Sequence, residues 1–268
     1  MAEVSPYELI AHRSTWSLVL LLGLLGWQGR FASLRPAFSS PRAIALNTAS
    51  SVLLAVNWTI YIWAVNSGRV IESSLGYFLV PLANVALGSL VLHEKLRRPQ
   101  WLAIGLAAAG VLLLLVRSGQ VPWIAFTLAG TWAAYSLLKK RSDLGSVAGL
   151  TAETLLLLPV TAGLLIWLGA RGDGVLGHAD WRLHAWVLSA GFVTSVPLLL
   201  FAYGAQRIRL ATLGLLQYLG PSVQFLLGLF LYHEPFDAGR LQAFTLIWAG
   251  LALYSADSFW TQRRALFG

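Results

Sequence analysis

Residues 64–114 read AVNSGRVIESSLGYFLVPLANVALGSLVLHEKLRRPQWLAIGLAAAGVLLL, and residues 204–254 read GAQRIRLATLGLLQYLGPSVQFLLGLFLYHEPFDAGRLQAFTLIWAGLALY. The two stretches align without a gap at an offset of 140 positions. Chance similarity between Leu-rich segments would not align these pairs: Asn66 with Gln206, Arg69 with Arg209, Pro81 with Pro221, His93-Glu94 with His233-Glu234, and Gly110 with Gly250. An internal repeat therefore organises the chain.

The composition around this repeat is that of a membrane protein. Of the 268 residues, 57% are hydrophobic and only 11% are charged, whereas soluble domains carry about 25% charged residues. The twelve Trp and eight Tyr suit the two membrane–water interfaces. The absence of cysteine excludes disulfides and thiolate chemistry, and no cofactor is predicted.

Stretches long and apolar enough to span a bilayer, which needs about 20 residues, fill most of the chain. They predict an all-α polytopic membrane protein with nine transmembrane helices. Short connectors with Pro, Gly or basic residues separate them. The predicted spans are roughly 7–29, 43–66, 71–92, 99–116, 121–138, 147–168, 183–205, 210–232 and 239–260.

The distribution of basic residues predicts the orientation. Basic residues in the connectors fall into two alternating sets, and the richer set is expected on the cytoplasmic side. The richer set has 13 residues: Arg30, Arg35, Arg42, Lys95, Arg97, Arg98, Lys139, Lys140, Arg141, Arg207, Arg209, Arg263 and Arg264. The poorer set has six: Arg13, Arg69, Arg117, Arg171, Arg182 and Arg240. The C-terminus is therefore predicted inside. The net charge of +8 fits these clusters, and no nucleic-acid partner is predicted.

The repeat predicts two halves of opposite orientation. Five helices separate equivalent segments, and an odd number means that the second copy enters the membrane upside down. We expect residues 1–118 to form a first repeat of four helices and residues 119–268 a second repeat of five, together one transmembrane domain. Inverted repeats of this kind are typical of secondary transporters, whose substrate site lies near the midplane between the halves.

The stretches NWTIYIWAVNSGRVIESSLGYFLVPLANVALG, LLQYLGPSVQFLLGLFLYHEPF and FWTQRR resemble the RarD-type permeases, in the EamA group of the drug/metabolite transporter superfamily. The resemblance covers nearly the whole chain. It implies ten helices in two inverted five-helix repeats and a place in the bacterial cytoplasmic membrane. PYELIAHRSTWS resembles the second helix of the family, so the first family helix is expected to be absent from this sequence. Either the start of the gene lies further upstream or the chain has lost this helix.

Three ionisable residues are candidates for proton coupling, because charges at membrane depth are costly and usually functional. Glu8 and His12 share a helix face with Trp16 at a spacing of four residues, and Glu153 is the only acid in the predicted span 147–168. Each has an alternative role. Glu8 and His12 would cap a helix end at the interface, and Glu153 would pair with a cytoplasmic cation such as Lys139 or Arg141.

Polar and aromatic side chains within the predicted helices are candidates for substrate binding. An amide in hydrocarbon needs a partner, and phenol and indole rings would form the walls of a polar pocket. The alternatives are packing between helices, a helix cap at Glu72 and a structural kink at Pro81. The candidates are Trp16, Asn57, Trp58, Tyr61, Glu72, Tyr77, Asn84, Trp132, Tyr135, Gln217 and Tyr218.

Two sequence patterns do not lead to a metal or nucleotide site. His93-Glu94 and His233-Glu234 do not continue to the second His of a zinc-protease helix, because Arg97 and Asp237 stand there. No metal site is predicted, and both pairs are interpreted as structural turns. The chain also has no P-loop of the form G-x-x-x-x-G-K-[ST], so ATP is not expected to drive it.

Together these features favour a secondary transporter of a small polar or amphipathic molecule, such as an amino-acid-like metabolite or a drug. The predicted partners are that substrate and the lipid bilayer. Two alternatives stay open at this point. One is a membrane scaffold or subunit without transport, and the other is an intramembrane enzyme, which the sequence disfavours because no G-x-S-x-G occurs.

Overall fold

The computed structural model describes residues 4–118, 122–175, 181–230 and 238–267. Within these ranges the regular secondary structure is helical: ten α-helices and a short 3-10 helix over Phe31–Phe38. The α-helices are α1 (Pro6–Trp27), α2 (Pro41–Asn66), α3 (Val70–Leu90), α4 (Arg98–Ser118), α5 (Trp123–Arg141), α6 (Ser146–Arg171), α7 (Trp181–Arg207), α8 (Leu210–Leu216), α9 (Leu219–Phe230) and α10 (Ala238–Phe267). The all-α polytopic fold predicted from the sequence is confirmed.

The helices follow the predicted spans closely, with one correction. Six of them are long and apolar enough to cross a membrane in the described ranges: α1, α2, α3, α4, α6 and α7. The total of nine crossings stays a prediction. The predicted single span 210–232 was wrong in detail, because the helix breaks into α8 and α9 at Gln217 and Tyr218.

Pro221 contributes to the break. Pro221 has no backbone N–H, so the Gln217 carbonyl loses the donor that a continuous helix would give it four residues on. The backbone turns instead through shorter bonds, from the Gln217 N–H to the Gly214 carbonyl at 3.0 Å and from the Gly220 N–H to the Gln217 carbonyl at 3.3 Å. In α3 the equivalent Pro81 is accommodated without a break.

The chain divides into two compact units, each built from two separate segments. The first unit comprises Met1–Trp63 and Leu138–Arg207, and the second comprises Ala64–Leu137 and Ile208–Gly268. The second unit therefore contains nearly all of both copies of the quoted repeat. The chain passes from one unit to the other within α2 and within α5.

In the second unit, α4 packs against its repeat mate α10 through reciprocal glycine contacts. A Cβ atom on Gly110 would lie 2.6 Å from the Ala243 carbonyl oxygen, and one on Gly250 would lie 2.5 Å from the Ala103 carbonyl oxygen. Ala103 and Ala243 are themselves repeat mates. Residue numbers rise along α4 while those of the contacted residues fall along α10, so the two helices run antiparallel. That is the direction the repeat predicts for them.

The other pair of repeat mates in this unit, α3 and α8, is held at one end by Glu94. Its carboxylate accepts the backbone N–H groups of Leu210 at 2.7 Å and Ala211 at 3.1 Å. Anions at a helix N-terminus are stabilising because the N–H groups there have no partner within the helix. His93 adopts the left-handed conformation with a φ of 53°. The predicted structural role of His93-Glu94 thus takes the form of a cap, while His233-Glu234 lies outside the described residues.

In the first unit, α1 packs against α6 and α7. Gly191 of α7 lies so close to α1 that a Cβ atom there would be 2.6 Å from the carbonyl carbon of Trp16. The Ser17 hydroxyl donates to the Gly191 carbonyl at 3.2 Å, and the Thr15 and Thr161 hydroxyls lie 3.4 Å apart. Small residues let helices approach closely in membranes, and these contacts fix the face of α1 that carries the candidate residues.

Candidate functional site

A buried amide lies where α3 meets α8 in the second unit. Asn84 is 0% exposed, and neither its Oδ1 nor its Nδ2 has a hydrogen-bond partner in the described part of the chain. Gly214 faces it so closely that a Cβ atom would lie 2.9 Å from the Asn84 Cβ. A buried polar group without a partner costs free energy of about 1–3 kcal/mol in proteins, so Asn84 is poorly explained as a packing residue.

The break between α8 and α9 presents further polar groups directly after Gly214, the residue that faces Asn84. The Trp132 indole Nε1–H donates to the Gln217 side-chain oxygen at 2.9 Å. Tyr218 is 0% exposed, and its hydroxyl donates to the Phe78 carbonyl at 3.1 Å. Gln217 and Tyr218 are the two turn residues of the break, so both side chains are positioned by irregular backbone. Non-helical backbone at membrane depth is tolerated where it is buried in protein or lines a cavity.

Aromatic rings continue this site along α5. The rings of Trp132 and Tyr135 are tilted with their centroids 5.6 Å apart, and Tyr135 is 0% exposed. Four predicted residues of the second unit therefore lie at or beside the break: Trp132, Tyr135, Gln217 and Tyr218. Asn84 faces Gly214, which lies about one helical turn before Gln217. We call this set of five residues the break site.

Two other predicted residues of the second unit have different surroundings. Glu72 lies in the first turn of α3, and its carboxylate is 3.7 Å from the Arg69 guanidinium. This contact favours the predicted role at the helix end. Tyr77 is 46% exposed, although Pro81 and Asn84 on the same helix face are buried. The side chain of Gln224, the repeat mate of Asn84, lies outside the described residues.

In the first unit, Glu8 and His12 are buried together on α1. Glu8 is 2% exposed, and its carboxylate accepts the Val175 backbone N–H at 2.6 Å and lies 3.5 Å from His12 Nε2. Glu8 therefore connects the turn after α6 to α1 by a hydrogen bond. The bond to Val175 supports a structural role for Glu8. Glu8 and His12 nevertheless lie together on one face of α1.

Arg13, Thr194 and Trp58 form a second cluster in this unit. The Arg13 Nε–H donates to the Thr194 hydroxyl at 2.9 Å, and the guanidinium carbon lies 5.1 Å from the centre of the Trp58 ring. The remaining predicted residues of α2, Asn57 and Tyr61, are half-buried. Arg13 was predicted to lie in an outer connector, but it lies inside α1. Its position next to His12 in an apolar stretch is the signal that could have identified it.

Glu153 forms a buried ion pair. Its Oε1 lies 2.6 Å from the Lys139 Nζ, and the two side chains are 1% and 3% exposed. This is the pairing with Lys139 or Arg141 that the sequence offered as the alternative to proton coupling. A paired carboxylate can still exchange a proton, so the coupling role stays a prediction. In the ranges described above, no three His, Asp or Glu side chains are grouped as a metal site would require.

Comparison with known proteins gives a consistent result. The model of the EamA-like transporter family matches residues 1–116 and 121–256. Protein RarD of Streptomyces exfoliatus is 42% identical over 260 residues, covering 96% of this chain and 82% of the relative. Protein RarD of Escherichia coli (strain K12) is 39% identical over 257 residues, covering 96% and 87%. One crystal structure matches this chain with a TM-score of 0.68 at 20% sequence identity, and the match covers 99% of this chain and 90% of the other. This similarity is one of fold.

Proposed function

Because the chain belongs to the EamA-like transporter family and, within it, to the RarD-type permeases, we propose that it is a secondary transporter that works by alternating access. The chain is a membrane transporter of the bacterial cytoplasmic (inner) membrane. The proposed cargo is a small polar or amphipathic molecule, such as an amino-acid-like metabolite or a drug. The cytoplasmic C-terminus and the inverted repeats 1–118 and 119–268 belong to this proposal.

The observation that carries the proposal is the break site. Substrate sites in secondary transporters are typically formed by discontinuous helices, whose unwound backbone offers groups that a continuous helix keeps for itself. Here the break between α8 and α9 adjoins a fully buried amide whose two polar atoms have no partner in the described ranges. A buried amide is both a donor and an acceptor, which suits recognition of a polar molecule.

Asn84→Leu is expected to separate transport from stability. Leu has the same branched shape and number of side-chain heavy atoms as Asn and carries no polar atoms, so the thermal unfolding midpoint should change little. Transport should fall at least about tenfold, because a hydrogen bond between Asn84 and the substrate would be lost. The measurement is uptake into proteoliposomes of the compound that a screen of amino acids and amphipathic drugs identifies.

The matched control is Thr245→Val, which also replaces a polar side chain by an apolar one in the second unit. Thr245 is exposed, and its hydroxyl donates to the Leu241 carbonyl of its own helix at 2.8 Å, so transport should be unaffected. Gln217→Leu tests the break itself. Full transport in both Asn84→Leu and Gln217→Leu would rule out the break site, and a protein that moves no compound in the screen would instead act as a scaffold.

Glu8, His12 and Glu153 are the candidate proton carriers. If either carboxylate couples transport to protons, its Gln variant should lose accumulation driven by an imposed pH gradient but keep exchange of substrate between equal concentrations. Both processes can be measured in the same proteoliposomes. Unchanged accumulation in Glu8→Gln and Glu153→Gln alike would exclude proton coupling through these two groups.

A further inference from the structure

The connector between α1 and α2 exposes large aromatic rings. Residues 27–42 read WQGRFASLRPAFSSPR, and their centre is the 3-10 helix Phe31–Phe38. The exposed fraction is 85% for Trp27, 53% for Phe31 and 39% for Phe38. Several aromatic rings exposed in one short segment between two apolar spans are typical of the interface where a bilayer meets water.

The flanking helices place this connector at a membrane surface. Both α1 and α2 are long and apolar enough to cross a bilayer, so the segment that joins them lies near one membrane–water interface. Its centre is attached to the first unit, because Ala37 is buried against Leu144 and Ala152. The Ala37 carbonyl also accepts the Asn47 Nδ2–H at 3.2 Å. The connector is therefore held in place while its aromatic side chains stay exposed.

Three arginines of the connector have no counter-charge. Arg30, Arg35 and Arg42 are exposed, and their side chains form no hydrogen bond or ion pair with another described residue. The sequence has no acidic residue between Glu8 and Glu72. Three positive charges therefore stand close together in the chain without an acid among them.

Basic residues near other helix ends are paired. The Arg69 guanidinium lies 3.7 Å from the Glu72 carboxylate, and that of Arg97 lies 2.6 Å from the Asp257 carboxylate. Asp143, in the turn between α5 and α6, forms no ion pair with the connector arginines. An ion pair reduces the attraction of a cation for any further anion, so the unpaired arginines of the connector attract an external anion more strongly.

Anionic phospholipids supply the chemistry that fits this combination. A phosphate group accepts two parallel hydrogen bonds from a guanidinium, and aromatic rings at the same depth pack between the headgroups and the first acyl carbons. Basic residues on the cytoplasmic side, where this connector is predicted to lie, are attracted to the negative surface of that leaflet. A soluble anion would use the arginines and leave the rings in water, so the rings favour a lipid.

We propose that the connector 27–42 is a binding surface for anionic phospholipids of the cytoplasmic leaflet. Its three arginines bind headgroup phosphates, and its three exposed aromatic rings insert between the headgroups. The first unit is thereby anchored to the membrane surface at the ends of α1 and α2. Lipid binding requires no transported molecule, so this inference is independent of the proposed function, and failure of one leaves the other intact.

The test titrates lipid onto the purified full-length chain in dodecyl maltoside. Dioleoylphosphatidylglycerol is anionic, whereas dioleoylphosphatidylcholine has the same acyl chains and no net charge. The readout is the rise of the thermal unfolding midpoint with lipid concentration, which gives an apparent Kd for each lipid. Phosphatidylglycerol should bind about tenfold or more tightly than phosphatidylcholine, and inorganic phosphate at the same concentration should stabilise the protein far less.

The variants assign this preference to the connector. Arg30→Gln, Arg35→Gln and Arg42→Gln should each weaken phosphatidylglycerol binding about fivefold, and the triple variant should weaken it at least about tenfold. Without lipid the triple variant should unfold at the wild-type midpoint, because these side chains have no partner in the fold. A matched control triple variant should keep most of the preference. It replaces by Gln three basic residues on the same predicted side: Lys95, Arg98 and Lys140.

A second measurement reports the depth of the connector in a bilayer. The chain has no cysteine, so a single spin label can be attached at Ala32→Cys, an exposed position of the 3-10 helix. In vesicles of equal parts phosphatidylcholine and phosphatidylglycerol, its accessibility to oxygen and to a water-soluble nickel chelate should place it among the headgroups. The control label at Ala109→Cys, an exposed position near the middle of α4, should lie in the hydrocarbon core.

Each of the following results would overturn the inference. Phosphatidylglycerol stabilises the protein no better than phosphatidylcholine, the triple variant of the connector keeps the wild-type preference, or the control triple variant loses as much. A label at residue 32 in bulk water would exclude insertion between headgroups. Equal stabilisation by inorganic phosphate would show a site for a soluble anion and reject the lipid surface.

Discussion

Lys139→Met is expected to lower the free energy of unfolding by about 3–5 kcal/mol, because it removes one partner of a buried ion pair and leaves the other charge in an apolar environment. The Lys139 Nζ lies 2.6 Å from the Glu153 carboxylate, and both side chains are almost completely buried. The ammonium also packs against Gly149, where a Cβ atom would lie 3.3 Å from the Nζ. Equilibrium unfolding in mixed micelles measures the loss.

Two further variants make this result specific. Lys140→Met removes the neighbouring charge, which is only half-buried, and should change the free energy of unfolding by less than about 1 kcal/mol. The double variant Lys139→Met with Glu153→Leu should recover most of the loss, since an apolar pair can replace a buried ion pair at little cost. A double variant as unstable as the single one would show that Lys139 acts through other contacts.

Gly110→Leu and Gly250→Leu are each expected to destabilise the second unit by about 3 kcal/mol, the upper end of the usual cost of overpacking. In both cases the new Cβ would come within 2.6 Å of a carbonyl oxygen of the facing helix. Backbone cannot move aside as a flexible side chain can, so α4 and α10 would have to separate. Thermal unfolding of the purified variants gives the effect.

Gly105→Leu is the matched control on α4, because outside its own stretch of helix no described atom lies within 4 Å of the position that its Cβ would take. It should leave stability unchanged or raise it by up to about 1 kcal/mol, as Leu favours helix more than Gly does. The double variant Gly110→Leu with Gly250→Leu should cost less than the sum of the two, since helices already separated by one Leu accommodate the other. Strict additivity would contradict a shared contact.

The sequence predicted the helices well because apolar runs and charged connectors determine them locally. The repeat also predicted which helices are equivalent, and the contacts of Gly110 and Gly250 agree with the predicted antiparallel direction of α4 and α10. The break at Gln217 could not be predicted, because Pro81 and Pro221 give the same signal in both copies, whereas only the second copy breaks. Which copy gives way depends on packing around the proline.

The candidate site was predicted only in part, for a related reason. Polar residues inside apolar helices are visible in the sequence, and Asn84, Trp132, Gln217 and Tyr218 were identified in this way. Their partners were not, because the contacts join distant segments. Arg13 and Thr194, for example, are 181 positions apart. The same holds for Glu153. As the only acid of its predicted span it could serve in proton coupling or in an ion pair, and only the position of Lys139 in the structure shows the ion pair.

The division of one span into α8 and α9 has a consequence for how the second unit folds. With seven residues, α8 is shorter than two turns, and so short a helix does not persist by itself in water. Its first turn is tethered by the Glu94 carboxylate, which comes from the turn between α3 and α4, 116 positions earlier in the chain. The register of α8 is therefore set by this turn, and α8 should order or detach as one cooperative segment together with it.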